Sequence, residues 1–363
     1  MATQKIPGRA IKLGTDDTAG DVTYFDGDAW RRLPIGTAGE VLTMNTAGTF
    51  PEWGAQQCPW NQGTLRGYSS GGNSGLYTTT SRYSRIDNYS FVTDGDATDW
   101  GDLIRDNYYT AACASATHGY AMGGEHTVNP FPGQVAVYDD HIQKFSFAAA
   151  ADATDVADVN VAHDHGTGHS DGTNGYNCYV LGWPLTSNIV DKFPFATDTN
   201  ATDVGDLNVN QPPNEGISSC THGYYNTEPG VPNGALAGNI NQFSFANATT
   251  ATDVGETLVN HQHMGGSMSE THGYFSGGQT NSNQIQKFSF ASLGNATDVG
   301  NLTHGGNGPA CASSTTHNYN AGGWQGEQNP SNVIDKWSTA NDVDATGVGT
   351  LWAVNYGASG TQV

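Results

Sequence analysis

The sequence predicts an all-β fold in which residues 58–363 form a six-bladed β-propeller. The main observation is a repeat of three phrases that occurs six times and is clearest at residues 272–278, 285–290 and 296–300. Its central aromatic position recurs about every 50 residues, at Tyr89, Phe145, Phe193, Phe243, Phe288 and Trp337. A period of this length, with paired glycines in the first phrase, indicates propeller blades.

Each repeat is interpreted as four strands, a to d. In the last repeat, strand a is the small-residue run 310–314, strand b carries the tyrosine and glycines of 317–323, and strand c is 333–338. Strand d is the Ala-Thr-Asp-Val-Gly phrase. The period of two in strand c places Ile and Lys on one face and both aromatics on the other. The glycines of strand b are expected to allow close backbone approach near a crowded axis.

The two ends of the repeat region are out of phase. The first repeat begins at strand b, in residues 66–72, while the C-terminal run 351–359 matches strand a of a further repeat. We therefore expect the C-terminal strand to complete the first blade and close the ring, which hides the open strand edges.

Several charged and polar residues recur at fixed repeat positions, which favours structural roles. The recurring lysines are expected to pair with the recurring aspartates of strand d; they are Lys144, Lys192, Lys287 and Lys336, and Asp155, Asp203, Asp253 and Asp298. The histidines before the Gly-Tyr phrase are interpreted as turn residues: His118, His222, His272 and His317. The Asp-rich phrase lacks the ligand alternation of a calcium loop, and Asp side chains commonly bond their own backbone in turns.

Residues 1–57 do not follow the repeat. Short apolar alternations around Asp26-Gly27 and similar signals predict small extended β-hairpins. A segment this short, with so few apolar residues, can hardly build a core of its own. We therefore expect it to associate with copies of itself or with another protein.

Two stretches resemble proteins of bacteriophage particles. Residues 36–54, Gly-Thr-Ala-Gly-Glu-Val-Leu-Thr through Pro-Glu-Trp-Gly, resemble a segment of phage fibre and other virion proteins. The Thr-His-Gly-Tyr, Lys-Phe-Ser-Phe-Ala and Ala-Thr-Asp-Val-Gly-Asp-Leu phrases are similar to those of marine phage tail-fibre-like proteins, and their period and double glycine resemble kelch-type blades. The resemblance implies a tail or head fibre or spike in the virion, assembled in the bacterial cytoplasm. It also implies a homotrimer, held to other virion proteins through residues 1–57.

Composition narrows the choice of partners. The net charge is −22, and residues 1–57 hold five Lys/Arg and seven Asp/Glu. That leaves eight basic and 28 acidic residues, a net charge of −20, in residues 58–363. Such a surface repels phosphate backbones, so we expect no nucleic-acid binding. No long apolar run or signal peptide is indicated, so membrane insertion is not expected. The five cysteines, Cys58, Cys113, Cys178, Cys220 and Cys311, are expected to be small buried strand residues and not a disulfide framework.

Length variation is expected on one face of the propeller. The b–c connections differ between blades (125–140 against 184–189), and so do the d–a connections (160–175 against 303–309). Because both kinds emerge on the same side, this side is the predicted recognition surface for a host glycan or protein. The candidate receptor-face residues are Trp183, Trp324, His163, His165, His169, His261 and His263. The tryptophans could stack on sugar rings or cover the blade end; the histidines could bind a metal, but a polar loop is the favoured interpretation.

Catalysis has little support in the sequence. Glutamates are scarce, no carboxylate pair stands out from the repeated aspartates, and nucleophile-elbow and phosphate-binding motifs are lacking. We expect a non-enzymatic protein with no cofactor and no metal, serving host adsorption. The alternatives are a surface polysaccharide depolymerase, whose site would be assembled across blades, and a capsid decoration protein without a receptor role.

Overall fold

The computed structural model describes the whole chain except residues 1–17, 37–39, 46–47, 56–57, 59–60, 75–81, 129–134, 182–186, 209–212, 214–215, 228–237, 248–249, 259–261, 280–281 and 326–329. The residues it describes form strands, turns and bends. Among them there is no helix long and apolar enough to cross a membrane. The chain separates into two compact units, Met1–Gln57 and Cys58–Val363.

The first unit contains two antiparallel hairpins, as the turn signals predict. Strand β1 (Val22–Phe25) pairs with β2 (Trp30–Leu33), and β3 (Glu40–Met44) pairs with β4 (Pro51–Ala55). In the first hairpin the Asp26 carboxylate accepts hydrogen bonds from the backbone N–H groups of Asp28 (2.9 Å) and Ala29 (2.8 Å). An Asp side chain that bonds the backbone two and three residues ahead stabilises this turn.

The second unit is a six-bladed β-propeller, which confirms the predicted fold class. Its strands are β5 (Arg66–Ser70), β6 (Arg85–Ser90), β7 (Thr98–Asp102), β8 (Ala111–Ala114), β9 (His118–Met122), β10 (Glu125–Val128), β11 (Val135–Ser146), β12 (Thr154–His163), β13 (Thr167–Ser170), β14 (Asn174–Leu181), β15 (Ser187–Pro194), β16 (Thr202–Gly205), β17 (Ile217–Ser218), β18 (His222–Thr227), β19 (Asn239–Ser244), β20 (Thr252–Glu256), β21 (Gly265–Met268), β22 (His272–Ser276), β23 (Gln284–Ser289), β24 (Thr297–Asn301), β25 (Ala310–Ser313), β26 (His317–Ala321), β27 (Val333–Ser338), β28 (Thr346–Thr350) and β29 (Ser359–Gln362).

The strand order in each sheet defines the blades. Blade 1 is β29-β5-β6-β7, and blade 2 is β8-β9-β11-β12 with β10 added beside β11. Blades 3 to 6 are β13–β16, β17–β20, β21–β24 and β25–β28. We call the side with the a–b and c–d turns the turn face, and the side with the b–c and d–a connections the loop face.

The C-terminal strand closes the ring, as predicted. Strand β29 pairs antiparallel with β5, so that Ser359 lies opposite Ser70 and Gln362 opposite Gly67. The strands in the a position of the six blades then contact their neighbours in an unbroken circle around the axis. Because the first blade is built from both ends of the propeller unit, it does not form until the chain has closed on itself.

The tyrosine of the first phrase joins each blade to the next. All six such tyrosines are at most 2% exposed. Five of them stack on the second aromatic of the Lys-Phe-Ser-Phe phrase in the following blade, at centroid distances of 4.6–5.0 Å; the pairs are Tyr68–Phe147, Tyr120–Phe195, Tyr176–Phe245, Tyr224–Phe290 and Tyr319–Phe91. The last pair joins blade 6 to blade 1. Tyr274 faces Thr339 instead and donates to its carbonyl at 3.4 Å.

The glycines of the repeat allow close packing, but not near the propeller axis, where the sequence analysis expected it. A Cβ on Gly273 would overlap the ring of Phe288 in the neighbouring strand of the same blade. The paired glycines that end strand b lie on the loop face, away from the axis. Gly277 has φ 71° and Gly278 has φ 109°, a left-handed turn that L side chains rarely adopt. Gly278 N–H then donates to the Gly306 carbonyl at 2.7 Å.

A buried polar residue in strand c, which sequence analysis did not identify, also links the blades. It follows the Ile or Val of each strand c and is at most 5% exposed: Asp87, Gln143, Asp191, Asn241, Gln286 and Asp335. Its side-chain oxygen accepts a hydrogen bond from the chain that leaves the preceding blade. Leu258 N–H donates to Gln286 at 2.6 Å, and Thr303 N–H donates to Asp335 at 2.9 Å.

The lysine ion pairs join blades, but the predicted partners are wrong. Lysines of strand c contact aspartates in the c–d turn of the next blade: Lys144–Asp198 at 2.9 Å, Lys287–Asp342 at 2.5 Å and Lys336–Asp94 at 2.7 Å. The strand-d aspartates were expected because they recur with the lysines, whereas the turn aspartates lie across the blade boundary. Such partly exposed pairs contribute less than about 1 kcal/mol each.

The turn face is crossed by the segment that enters the propeller, residues 58–65, which we call the entering segment. Cys58 forms a disulfide with Cys220 in the a–b turn of blade 4, with a Cα–Cα distance of 5.4 Å. The Asn61 amide donates to the Ser218 carbonyl at 3.0 Å, and Gly63 N–H donates to the Ser313 carbonyl at 2.8 Å. This segment therefore connects blades that are distant in sequence.

The expected absence of a disulfide was wrong for Cys58 and Cys220. Their separation of 162 residues leaves no local spacing that a sequence pattern could reveal. The remaining cysteines, Cys113, Cys178 and Cys311, are free and buried in strands, as expected.

We expect the Cys58→Ser variant to unfold at a lower temperature than the wild type, because the disulfide closes a loop of 162 residues. The chain-entropy estimate for such a loop is about 5 kcal/mol. Thermal denaturation followed by circular dichroism measures the difference. A reductant should lower the wild-type transition to that of the variant. No effect of reductant on the wild type would argue against the disulfide.

Replacing Gln286 with the similarly shaped Met is expected to cost about 1–3 kcal/mol of unfolding free energy, because it leaves the Leu258 N–H without its acceptor. The matched control is Gln284→Met in the same strand, whose side-chain amide donates to the exposed Asp298 carboxylate at 3.0 Å. Urea denaturation of both variants measures the difference. Equal costs for the two changes would show that the inter-blade bond contributes nothing.

Candidate functional site

The mouth of the propeller axis on the loop face has an unusual backbone. Two residues before strand a, each described blade has a residue with φ between 53° and 64°. These residues form what we call the axial ring: Tyr109, His165, His263, Gly308 and Gly357. The equivalent residue of blade 4, residue 215, lies outside the described part of the chain.

Backbone hydrogen bonds run around the axial ring from blade to blade. Gly308 N–H donates to the His263 carbonyl at 2.8 Å, and Gly357 N–H donates to the Gly308 carbonyl at 2.7 Å. The backbone N–H of Tyr109 donates to the Gly357 carbonyl at 2.7 Å, and the backbone N–H of His165 donates to the Tyr109 carbonyl at 3.1 Å. The left-handed conformation recurs in all five described members of the axial ring, whatever their side chain, so it follows from the geometry of the closed ring.

Three members of the axial ring carry aromatic rings although the position suits glycine. A left-handed backbone costs a residue with a Cβ roughly 1–2 kcal/mol. Blades 6 and 1 avoid this cost with Gly308 and Gly357. The other three described blades accept it and present Tyr109, His165 and His263. The ring imposes the left-handed backbone, but glycine would adopt it without strain. The strain of an aromatic residue at this position therefore suggests a functional role.

The three rings stack across the axis. The Tyr109 ring stacks on His165 (centroids 3.9 Å apart, interplanar angle 27°) and on His263 (5.2 Å, 23°). The two imidazoles also lie 5.3 Å from each other, so the three rings form a triangle. Together with the axial-ring glycines, Pro213 and Met264, they line a cavity of about 40 Å³. A cavity of this size has room for about three water molecules, so it can hold one small group of a larger ligand.

Further aromatic rings extend the stack across the loop face. Tyr108 lies 4.4 Å from Tyr109, and Tyr356 lies 6.2 Å from Tyr109 and 5.1 Å from Trp324. All of these side chains are half-buried. We call the six rings the axial cluster: Tyr108, Tyr109, His165, His263, Trp324 and Tyr356.

Two carboxylates lie beside the axial cluster. The Asp164 carboxylate contacts His165 Nδ1 at 2.8 Å, and Glu125 accepts a hydrogen bond from the Tyr108 hydroxyl at 3.4 Å and pairs with Arg82. Burial alone would raise the pKa of Asp164, but the His165 hydrogen bond brings it below its ordinary value. Burial, reinforced by the adjacent His165, lowers the pKa of His263 to about 3. This imidazole is therefore neutral at neutral pH and can both donate and accept hydrogen bonds.

Among the described residues, the ligand atoms that lie close enough together to share a metal ion belong to Asp139, Asp140 and His141 in strand β11. None of these three residues belongs to the axial cluster, and Asp139 is already bonded within the protein. Asp139 accepts from the Asn107 amide at 2.9 Å and from His141 Nδ1, with the Arg105 guanidinium 3.7 Å away. These contacts account for both carboxylate oxygens of Asp139.

The sequence-predicted receptor-face residues fall into three groups. His165, His263 and Trp324 lie on the loop face and belong to the axial cluster. Trp183 and His261 lie outside the described residues. The prediction is wrong for His163 and His169, because their exposed fractions are only 2% and 1%.

The two interior histidines have structural partners. His163 stacks on Tyr179 at 3.7 Å, donates from Nδ1 to the Val161 carbonyl, and accepts from the Asn177 amide. His169 donates from Nδ1 to the Ile217 carbonyl of the adjacent blade at 3.1 Å. Burial lowers the pKa of both histidines to about 4. Their interactions stabilise the propeller and do not reach its surface.

The error arose from the composition of strand a. Residues 160–175 were predicted to be a long loop, but they include the end of β12 and the whole of β13. Strands around a narrow axis use small and polar residues, so the Thr-Gly-His-Ser sequence of β13 lacks an apolar strand signal. Likewise, residues 125–140 include β10 and the start of β11. The four histidines before the Gly-Tyr phrase were predicted to be turn residues, but each is the first residue of strand b. Each Nδ1 lies 2.8 Å from the preceding Thr hydroxyl.

Sequence reasoning missed Tyr108, Tyr109 and Tyr356. The usable signal was their position directly before strand a, where blade 6 has Asn307-Gly308. An aromatic residue at a repeat position that is glycine elsewhere departs from the scaffold pattern. Because strand a was placed incorrectly in blade 3, the repeats could not be aligned closely enough to reveal it.

We expect the unfolding free energy to fall as the pH falls from about 6.5 to about 4. Unfolded histidine binds a proton below about pH 6.5, whereas His163 and His169 do so only near pH 4 in the folded state. The unfolded state therefore binds more protons in this range, which costs up to about 3 kcal/mol per histidine. Urea denaturation at pH 7 and pH 5 measures the loss.

The matched variant for this pH dependence is His169→Thr, since Thr361 occupies the equivalent position in blade 1. It should reduce the loss between pH 7 and pH 5 whatever its stability at pH 7. An unchanged loss would show that His169 is not one of the groups responsible.

Comparison of the chain with models of protein families and with curated protein sequences gave no match.

Proposed function

We propose that the chain is a non-enzymatic bacteriophage virion protein, a fibre or spike, that binds the host cell surface through the axial cluster on its loop face. The observation that carries the proposal is the set of three aromatic side chains held in left-handed backbone at a position where glycine fits. A scaffold that needed only a closed ring would use glycine there in every blade. The rings therefore support a recognition role.

The placement of the entering segment supports this orientation. Cys58 and Asn61 contact the turn face of the propeller through Cys220 and Ser218. The chain thus enters the propeller on the face opposite the axial cluster. A protein that is attached through its N-terminal part can present such a loop face to a partner.

The first unit supports an assembly role. Its hairpins expose large apolar side chains to an unusual degree for so short a segment: Phe25, Trp30, Ile35, Leu42, Met44 and Phe50 are each at least 42% exposed. Burying apolar surface of this kind drives association. We propose that residues 1–57 form a homotrimer and attach to other virion proteins.

The binding role is tested with the purified full-length chain, fluorescently labelled, on bacteria that the phage adsorbs to. The double variant Trp324→Ala/Tyr356→Ala should bind these cells at least about tenfold more weakly, because it removes two stacking surfaces. The control is Val92→Ala, which removes a 73% exposed apolar side chain from the turn face. Equal binding of all three proteins would refute recognition through the loop face.

Two further measurements separate this function from its alternatives. Gold-labelled antibody against the chain should decorate purified phage particles, and undecorated particles would exclude a virion location. Incubation with isolated cell-surface polysaccharide should release no oligosaccharides. Their release would identify a depolymerase in place of a binding protein.

A further inference from the structure

We propose that the axial cluster binds an uncharged pyranose glycan, with sugar rings against the aromatic side chains and one small substituent in the axial cavity. This inference rests on the proposed binding function and names the ligand class for the same site. It depends on the size of the cavity, the mixture of rings and hydrogen-bonding groups, and the charge around the site.

The dimensions fit a ligand that stays mostly outside the cavity. The 40 Å³ between Tyr109, His263 and the axial-ring glycines corresponds to about three water molecules. A whole sugar ring is too large for this space, but a hydroxymethyl or acetyl methyl group fits. Outside the cavity, Trp324 and Tyr356 meet at 56° with their centroids 5.1 Å apart. These half-buried rings offer a surface on which the C–H face of a pyranose can lie.

The polar groups match hydroxyls, which both donate and accept hydrogen bonds. Asp164 and Glu125 are acceptors, and neutral His263 can act in either sense. The side-chain amide of Gln279 donates to that of Gln262 beside the axial ring. Each amide group has both a donor and an acceptor, so this pair adds hydrogen-bonding groups of both kinds. A quaternary ammonium ion forms no hydrogen bonds, so it would gain nothing from the donors and the remaining lone pairs of these groups. The face of Tyr108 is already taken by Arg82, whose guanidinium carbon lies 4.5 Å from the ring centroid.

The charge distribution selects against acidic sugars. Residues 58–363 carry a formal net charge of −20, and Arg82 beside the cluster already pairs with Glu125. An anionic ligand would approach the Asp164 and Glu125 carboxylates through this field. A neutral sugar avoids the repulsion and can donate hydroxyl hydrogens to the same carboxylates.

The probes are oligosaccharides of matched length that end in neutral hexoses or in uronic or sialic acid, tested with the full chain by isothermal titration calorimetry. We expect neutral probes to bind and acidic ones not to bind. The Tyr109→Gly variant copies Gly308 and Gly357 at the same ring position. It should bind the neutral probe about tenfold more weakly, and its melting temperature should stay within about 3 °C of the wild type. Trp352→Ala is the control, because this 61% exposed ring lies on the loop face outside the axial cluster.

If Tyr109→Gly does not fold, Trp324→Ala gives the second test, since Trp324 has no left-handed backbone to relax. Undiminished neutral-probe binding by either folded variant overturns the site. Preferential binding of acidic probes or of tetramethylammonium overturns the ligand class. If no oligosaccharide binds while Trp324→Ala/Tyr356→Ala still loses cell binding, the glycan inference fails and the proposed function stands. If the wild type does not bind cells, the proposed function itself fails.

Discussion

Stacking of the repeat tyrosine on an aromatic ring of the next blade is the interaction on which the rest of the propeller depends. Each blade is too small to bury its own faces, so at five of the six boundaries a Tyr–Phe pair makes one blade part of its neighbour's core. At the sixth, Tyr274 bonds the Thr339 carbonyl. The pair Tyr319–Phe91, at 4.6 Å, carries this packing from the last blade to the first. Strand pairing of β29 with β5 holds these two blades in register. The blades therefore depend on one another in a closed circle.

A closed circle also fixes the backbone at its centre. Around the axis, four of the five described axial-ring residues donate their N–H to the carbonyl of the equivalent residue of the preceding blade, as Gly357 does to Gly308. The position of a blade thus determines the conformation of this residue, whatever its side chain. A scaffold held in this way can accept the strain of Tyr109, His165 and His263. The backbone is the same in each described blade, but three blades carry aromatic side chains there and two carry glycine. The three aromatic side chains line one part of the cavity.

The two faces of the propeller are stabilised differently. On the turn face, the entering segment and the Cys58–Cys220 disulfide connect blade 4 to the strands at the ring closure. On the loop face, the b–c connections vary in length between blades. The covalent cross-link is thus on the face where the chain enters, while the loop face combines inter-blade hydrogen bonds with connections of variable length. This division suits the proposed recognition through the loop face.

Much of the fold could be predicted from the sequence because the residues that recur in the repeat are those that pack between blades. The Tyr, the Phe pair and the double glycine recur because most blade boundaries are alike, so their period indicated the blade number and the out-of-phase ends indicated the closure. The buried polar residue of strand c, such as Gln286, was visible as a position that is always polar. It was overlooked because its partner, Leu258 N–H, belongs to another blade.

The sequence by itself determined the number of blades, the four-strand pattern and the closure at the C-terminus, since these follow from local periodicity and phase. Only the tertiary structure decided which residues meet at the axis. Tyr109 and His165 are 56 residues apart in the chain, and His165 and His263 are 98 residues apart. No pattern relates a tyrosine to two histidines. They come together because the ring places equivalent positions of different blades within a few ångströms. The same geometry buries His163 and His169, which composition alone had placed on the surface.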